Sequence, residues 1–465
     1  MKRIAEVMAI AVLWASAAWA APGDVVWTYM MGAYTYSNAA VEGGRVYFGS
    51  NDFNVRCLDA SDGSEIWSSN IGQSVYSSPA VVGGYVYVGV GSAMACFDAS
   101  DGSLEWAHVT GNSVVSAPAV VDGRVYFGSY DNSVYCLNAS DGALVWSRAT
   151  GGYVRSSPAV VDGRVYVGSA DQNVYCFDAA SGAIIWIRVT GGPVESSPAV
   201  SGGYVYVGSG DTGLYCLSSH DGSVQWAFLS GGPVDSSPAI CGYRVYFGSD
   251  DYYVYCLTAA TGAMLWRTEV GYHVGLSSPA VSGDYVYIGC EDTSVYCLDA
   301  DYGDIVWSHA TGQPLYTSPT AAAGNVYIGG MDSVFYCLER GAGDPGEWPK
   351  FRHDLANTGT HTPWAAPALD IALNAGWNLI GYGSFAVRPV DLATVTFTDG
   401  LTTKSWDDAV AAGWIEEPGY CYVTGAGYLT LGTPDTTWDT DVVDLGVGYW
   451  ILANVDLTMF IPYST

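Results

Sequence analysis

The groups in this chain that could ligate a metal, move a proton or attack a carbonyl are few, or are spaced wrongly for the task. Six histidines, His108, His220, His273, His309, His353 and His361, include no pair at the spacing of zinc ligands. No Gly-x-Ser-x-Gly elbow occurs to expose a serine nucleophile. Lys350 and Lys404 are the lysines left once the leader described below is set aside, and neither ends a Gly-Lys phosphate loop. His353-Asp354 has the makings of an acid–base pair, yet its place in the segment after the last repeat makes a structural hydrogen bond the expected role. Eleven cysteines invite a disulfide framework, but Cys57, Cys96, Cys136, Cys176, Cys216, Cys256, Cys297 and Cys337 recur every 39 to 41 residues. Equivalent places in stacked sheets lie roughly 10 Å apart, beyond the roughly 7 Å that a disulfide spans between Cα atoms. These eight are expected to be free, buried, small apolar residues; Cys241, Cys290 and Cys421 fall off the register and have no evident partner in sequence.

What positions every side chain is the repeat itself. Trp27, Trp67, Trp106, Trp146, Trp186, Trp226, Trp266 and Trp307 step by the same 39 to 41 residues, and Val-Tyr-x-Gly returns at Val46, Val86, Val125, Val165, Val205, Val245, Val286 and Val326. Ser-Ser-Pro-Ala-Val or a near variant precedes most of these, followed by a glycine turn such as Val161-Asp162-Gly163. Period-two alternation rich in Val and Tyr means strands, and four strands of about five or six residues with tight turns fill about 40 residues. Such a period marks a β-propeller blade. The chain opens with a lone Trp strand, Val25 to Tyr29, and the last unit lacks one after Cys337. The expected fold is therefore all-β, an eight-bladed propeller closed by the N-terminal strand. Trp348 competes for that place, but Pro345 and Pro349 flank it and disfavour a ladder strand.

The phase of the strands places the loop entering each inner strand and the loop between the second and third strands on one rim. There the copies differ, and function is expected where copies differ. The position before Ser-Ser-Pro reads Tyr36, Tyr76, Val115, Arg155, Glu195, Asp235, Leu276 and Tyr316 around the ring. Closure would make Tyr316, Tyr36 and Tyr76 neighbours and set Arg155, Glu195 and Asp235 on the opposite arc. Loop tips add Tyr34, Tyr153, Tyr272 and His273, and the second-to-third-strand turns add Phe53, Tyr130, Tyr252 and Tyr253. Aromatic faces beside carboxylates suit sugars or extended peptides, so these six mouth residues form the candidate ligand site. Asp52, Asp131, Asp171, Asp211, Asp251, Asp292 and Asp332 hold one place in seven turns, where an Asx-type turn bond accounts for them. Fourteen of the 35 tyrosines fall at two fixed strand positions and read as architecture.

The stretch Cys176-Phe177-Asp178-Ala179-Ala180-Ser181-Gly182-Ala183-Ile184-Ile185-Trp186 resembles the tryptophan-docking motif of pyrroloquinoline-quinone-like repeat propellers, Ala-x-Asp-x-x-x-Gly-x-x-x-Trp, with Cys in the Ala place. Seven of the eight units keep the Gly-to-Trp spacing. Asp59, Asp98, Asp178 and Asp299 hold the Asp place, while Asn138, Ser218 and Thr258 replace it. Trp348-Pro349-Lys350-Phe351-Arg352-His353-Asp354, with Thr358-Gly359, is similar to a strap that often flanks such repeats, so the resemblance covers roughly residues 24 to 362. The family includes quinone-dependent alcohol and sugar dehydrogenases, a periplasmic lipoprotein scaffold of outer-membrane barrel assembly and surface proteins of unassigned role; the fold alone does not choose among them. The dehydrogenases hold their cofactor against a vicinal Cys-Cys disulfide and bind Ca²⁺ near a catalytic Asp. This chain has no adjacent cysteines, and its uniform units leave no insertion for a lid. Neither pyrroloquinoline quinone nor Ca²⁺ is expected, nor is an enzyme. The scaffold is anchored through an N-terminal cysteine, whereas no cysteine precedes Cys57 here.

Residues 1 to 20 read as a secretory signal: Lys2-Arg3, an apolar stretch from Val7 to Ala18, then Ala18-Trp19-Ala20 as the cleavage site. Cleavage after Ala20 implies a secreted, periplasmic or cell-surface protein. Sixteen basic against 46 acidic residues give a net charge of −30, which repels nucleic acid and anionic lipid. With 49% hydrophobic residues the chain is no disordered polymer, and no mature run reaches the roughly 18 to 20 apolar residues of a membrane span. The expected domains are a propeller over 21–343, a strap and linker over 344–367 and a β-rich module over 368–465. The module carries Gly376-Trp377-Asn378-Leu379 and Gly448-Tyr449-Trp450, which resemble motifs of modules appended to prokaryotic surface proteins, and one helical stretch near Trp406 to Ala412. Asp435, Asp439, Asp441 and Asp444 are weak candidates for a Ca²⁺ site, since their spacing fits no EF-hand loop. Trp377, Trp414 and Trp450 read as core. The resulting expectation is a non-catalytic binding or scaffolding propeller whose partner is a protein or glycan at the cell envelope; the sequence sets no oligomeric state.

Overall fold

The structure, a computed structural model, describes residues 21–341 and, past them, the backbone of short strands between 369 and 461. Eight four-stranded antiparallel sheets make up the first part. Blade 1 consists of Ala40–Glu42, Arg45–Gly49, Asn54–Asp59 and Glu65–Asn70, from the axis outward. Blades 2 to 7 repeat it. Blade 8 takes Thr320–Ala322, Asn325–Gly329 and Val334–Glu339 from the end of the repeats and its fourth strand, Val25–Met30, from the beginning. Trp27 faces Cys337 there as Trp67 faces Cys57 in blade 1, with the same local slip in register. The inner strands of blades 8 and 1 lie side by side, so the ring is closed. Trp348, the competing candidate, lies outside the described residues, as do the leader, the strap, the helical stretch and the four aspartates of the weak Ca²⁺ candidate. In the C-terminal part, Gly376–Ile380 pairs antiparallel with Gly448–Ala453, and Leu369–Leu373 with Leu457–Ile461.

Two details depart from the simple reading of four alternating strands. The inner strand has three residues in every blade, because the preceding Ser-Ser-Pro segment bonds through side chains and proline offers no ladder donor. The second and third strands are buried on both faces, Val46, Tyr47 and Phe48 alike, since each is covered by the blade on either side. Alternation in burial survives on the outer strand, where Trp67 is buried between exposed neighbours.

Blades dock through one backbone carbonyl apiece. The Ala99 carbonyl of blade 2 accepts from the indole of Trp67 at 3.0 Å, the guanidinium of Arg45 at 2.8 Å and the hydroxyl of Tyr47 at 3.5 Å, all from blade 1. The same indole bond recurs onto Ala60, Ala139, Ala179, Ser219, Ala259 and Ala300. The turn glycine three residues on lies flat against the ring: a Cβ on Gly102, at φ +73, would sit 2.5 Å from Trp67. At the seam Gly23 plays this part, with φ +86 and a Cβ there 3.0 Å from the Trp307 ring, so the first described residues finish the last blade's turn as well as its sheet. Amide and carbonyl bonds between Gly23 and Glu339, and between Glu339 and Asp24, fasten the two ends.

The serines of Ser-Ser-Pro divide their work. The first holds its own blade: Ser156 Oγ accepts from the Gly168 amide at 3.0 Å, and Ser37, Ser116, Ser196, Ser236 and Ser277 do the same. The second reaches the neighbour: the amides of Ser157, Ser197, Ser237 and Ser278 donate to the hydroxyls of Ser197, Ser237, Ser278 and Ser318 in turn, at 2.9 to 3.0 Å. The longer Asn38 closes this inner belt, accepting from Ser318 at 2.6 Å while its own amide donates to Ser78. Ala117, without a hydroxyl, is the gap. The eight cysteines of the register are free, and burial pushes thiols such as Cys176 and Cys297 up to about 12.

Restoring the missing link with Ala117→Ser should raise stability by about 0.5–1 kcal/mol, the net worth of one hydrogen bond, whereas Ser197→Ala should lower it by at least as much. Thermal melts of the two variants check both signs.

Candidate functional site

The belt of serines fixes the backbone immediately before it, and the side chains one residue earlier therefore ring the mouth of the central channel. Tyr36 lies between Tyr76 and Tyr316, each ring centroid 5.8 Å from its own, and Tyr34 meets Tyr36 edge-on at 5.7 Å. The three phenols expected to become neighbours through closure are neighbours. Burial, then the adjacent phenols Tyr34, Tyr316 and Tyr76, raise the pKa of Tyr36. All three tyrosines of the row are half-buried, with ring surface left to the mouth.

On the other arc Arg155 donates to Glu195 at 2.6 Å, and the Tyr153 hydroxyl donates to the other Glu195 oxygen. Tyr153 packs on Tyr130 at 4.9 Å. Asp235 is next in the ring. Among the described residues no hydrogen bond reaches its carboxylate; burial, then Glu195 and Asp250, push it up to about 6, against a partial relief from Arg155.

Two carboxylates at the mouth belong to a position that the sequence reading passed over, the residue just before the repeated turn aspartate. It reads Asp250 in blade 6 and Glu291 in blade 7. Both are raised, first by burial; beyond that, Asp251 raises Asp250 and Asp250 raises Glu291, while His273 opposes each. His273 Nδ1 bonds the Asp250 carbonyl at 2.8 Å and lies 3.9 Å from its carboxylate. The one-residue insertion in blade 7 makes room: a Cβ on Gly275 would stand 2.1 Å from Asp250 Oδ1. Tyr272 stacks on Tyr252 at 5.4 Å, and His273 meets Tyr252 at a tilt and Tyr272 edge-on. A signal existed in the variability of that position. Tyr253, grouped with the rim aromatics by sequence, instead starts the third strand of blade 6 with Arg267 over its ring at 4.6 Å.

The repeated turn aspartates are structural, as their regularity suggested. Asp171 accepts from the Asn173 amide at 3.0 Å, the Gly151 amide at 2.6 Å and the Tyr175 hydroxyl at 2.6 Å. The second fixed tyrosine position is thereby explained. Arg56 takes the tyrosine's part in blade 1 and grips Asp52. Among the described residues no group of three or more His, Cys, Asp or Glu side chains is placed to hold a metal ion.

The sequence matches the family described as outer membrane protein assembly factor BamB over residues 15–117, 51–158, 149–272 and 250–346. No match is found among curated proteins. Among solved structures, BamB from Moraxella catarrhalis is 21% identical, with a TM-score of 0.60 over 68% of this chain and 99% of that one. The computationally designed protein Ika8 is 16% identical, with a TM-score of 0.63 over 68% of this chain and all of the other, 100%. The quinohemoprotein alcohol dehydrogenase ADHIIG from Pseudomonas putida HK5 is 14% identical, with a TM-score of 0.55 over 69% of this chain and 77% of that one. At these identities the likeness is one of fold.

The raised pKa of Asp235 has a direct consequence for stability. An ordinary aspartate loses its proton near 3.8, Asp235 in the ring near 6. Between those values the unfolded chain ionises while the folded one resists, so this residue's contribution falls as pH rises through the window and stays unfavourable above it. Asp235→Asn should raise the melting temperature at pH 7.5 and leave it unchanged below pH 4; parallel melts at the two pH values check this.

Proposed function

The chain belongs to the family of the outer membrane protein assembly factor BamB, and from that premise we propose that it is a non-catalytic binding or scaffolding propeller of the periplasm, cell surface or exterior. Its partner, a protein or a glycan, seats at the polarised mouth of the channel. The observation that carries this reading is the contrast between the two halves of each repeat. Docking surfaces, turns and inner belt repeat with few exceptions from blade to blade, while among the described residues the mouth gathers a tyrosine row on one arc and charged groups on the other. A ring that selection had kept for stability alone would have no use for a half-buried, unpaired carboxylate: Asp235 at the mouth costs stability at neutral pH. Binding sites commonly carry such a cost.

Absence of catalysis is part of the same proposal. The sequence has no adjacent cysteine pair of the kind that the dehydrogenase resemblance would require, and no insertion that would build a chamber over a cofactor. Its leader supports export, which places the mouth where envelope proteins and glycans are met.

Replacing Tyr36, Tyr76 and Tyr316 together with Ala should leave the ring folded, since none is part of the docking surfaces. The ligand recovered by the native protein from a glycan array or an envelope extract should bind the triple variant at least about tenfold more weakly, as expected for aromatic anchors. Equal recovery by both proteins would discard the mouth. Adding pyrroloquinoline quinone and Ca²⁺ should give no dye-linked oxidation of alcohols or sugars; turnover would overturn the non-catalytic reading.

A further inference from the structure

The distribution of satisfied and unsatisfied carboxylates narrows the ligand class, on the premise that the mouth is the binding site. Most acidic side chains of the ring are engaged in turns. Asp59, Asp98 and Asp178 accept from serine amides and hydroxyls on the rim away from the mouth. Asp131, Asp171, Asp211, Asp251, Asp292 and Asp332 accept from a tyrosine hydroxyl and a glycine amide. At the mouth the pattern changes. Among the described residues Arg155 is its one guanidinium, and it is spent on Glu195. Among the described residues no hydrogen bond reaches the carboxylates of Asp235, Asp250 or Glu291, although all three are partly withdrawn from water and each feels a neighbouring carboxylate.

Two of these groups, Glu291 and Asp250, adjoin aromatic side chains. Glu291 acts electrostatically on Tyr316, which begins the row through Tyr36 to Tyr76. Tyr272 and Tyr252 stack beside His273 on the flank of Asp250. Desolvated carboxylates with free lone pairs, set beside the negative faces of phenol rings, are complementary to a cation that also has a flat or apolar stem. A neutral sugar would stack on the rings but leave the carboxylates uncompensated.

We infer that the mouth binds a basic protein segment, with arginine or lysine side chains laid along the Tyr316–Tyr36–Tyr76 row and beside the Tyr252–Tyr272 pair, their charges met by Glu291, Asp250 and Asp235. Arginine fits best, since its guanidinium both stacks on phenol rings and donates to two carboxylates at once.

The probe is a fluorescent peptide of alternating glycine and arginine, titrated at physiological salt beside the same peptide with citrulline, which keeps the shape and loses the charge. Native protein should bind the arginine peptide at least about tenfold more tightly, the loss expected for a charge-assisted hydrogen bond. Asp235→Asn with Glu291→Gln should weaken it by a similar factor. Asp62→Asn with Asp141→Asn, on the opposite rim, removes the same charge and should change nothing; the two pairs separate a site from the general attraction of a chain with net charge −30. Equal loss from both pairs, equal binding of the citrulline peptide, or no binding of the arginine peptide would overturn the inference. A neutral chito-oligosaccharide that binds and is lost in the triple tyrosine variant, with the arginine peptide ignored, would overturn it too while leaving the mouth as the binding site. Loss of neither probe in that triple variant would remove the mouth along with the inference.

Discussion

One backbone carbonyl per blade, presented at a turn and answered by an indole, a guanidinium or a phenol from the blade before, sets the spacing of the whole ring. The geometry is demanding because the indole must lie flat on a glycine to reach the oxygen, so each tryptophan fixes both the distance and the tilt of the next sheet. Repeated in this way, the contact propagates one rotation from blade to blade until the ring meets itself. The seam shows where the pattern is under strain. Among the described residues, the indole nitrogen of Trp307 has no hydrogen-bond partner, although Gly23 covers its ring as the other turn glycines cover theirs.

With the sheets fixed by this contact and by the serine belt around the axis, and the rim turns by their aspartates, the divergent side chains at the mouth carry none of these duties. That division explains why charge is handled so differently in the two places. Turn aspartates are saturated by amides and phenols and act as fasteners. Mouth carboxylates are few, half-hidden and short of partners, and the tyrosines beside them have surface to offer. Polarity across the opening thus follows from which copies diverged, on a frame that keeps every divergent side chain pointing at the same axis.

Periodicity made the ring legible because burial imposes the same residue types at the same place in every copy: the Trp and Cys registers, the closing strand and the row of three phenols all follow from it. What escaped the reading lies where one residue does another's work. Asn38 stands in for a serine in the belt because its longer side chain can span the seam, and no Ser-Ser-Pro pattern announces it. Gly23 completes a turn whose other half is more than 300 residues away. Asp250 and Glu291 were hidden beside the conspicuous turn aspartates, and Tyr253 was misassigned because one step along a strand turns a side chain from the rim to the sheet face. The short inner strand was missed because hydroxyls replace ladder bonds there, a substitution that alternation does not record.

Closure by the first strand also sets a timetable for folding. Blades 1 to 7 are each built from one contiguous stretch, but Val25–Met30 must wait for Val334–Glu339 before it has anywhere to pair. Stretching the loop from about 40 to about 310 residues amounts to about three doublings, so the entropic surcharge is only about 2 kcal/mol. The delay is therefore kinetic more than thermodynamic: until the final repeat is made, an unpaired edge bearing Trp27 trails from one end of a growing arc while blade 8's third strand is still to come. Speed of synthesis, rather than equilibrium stability, then governs how long that sticky edge is open to other chains.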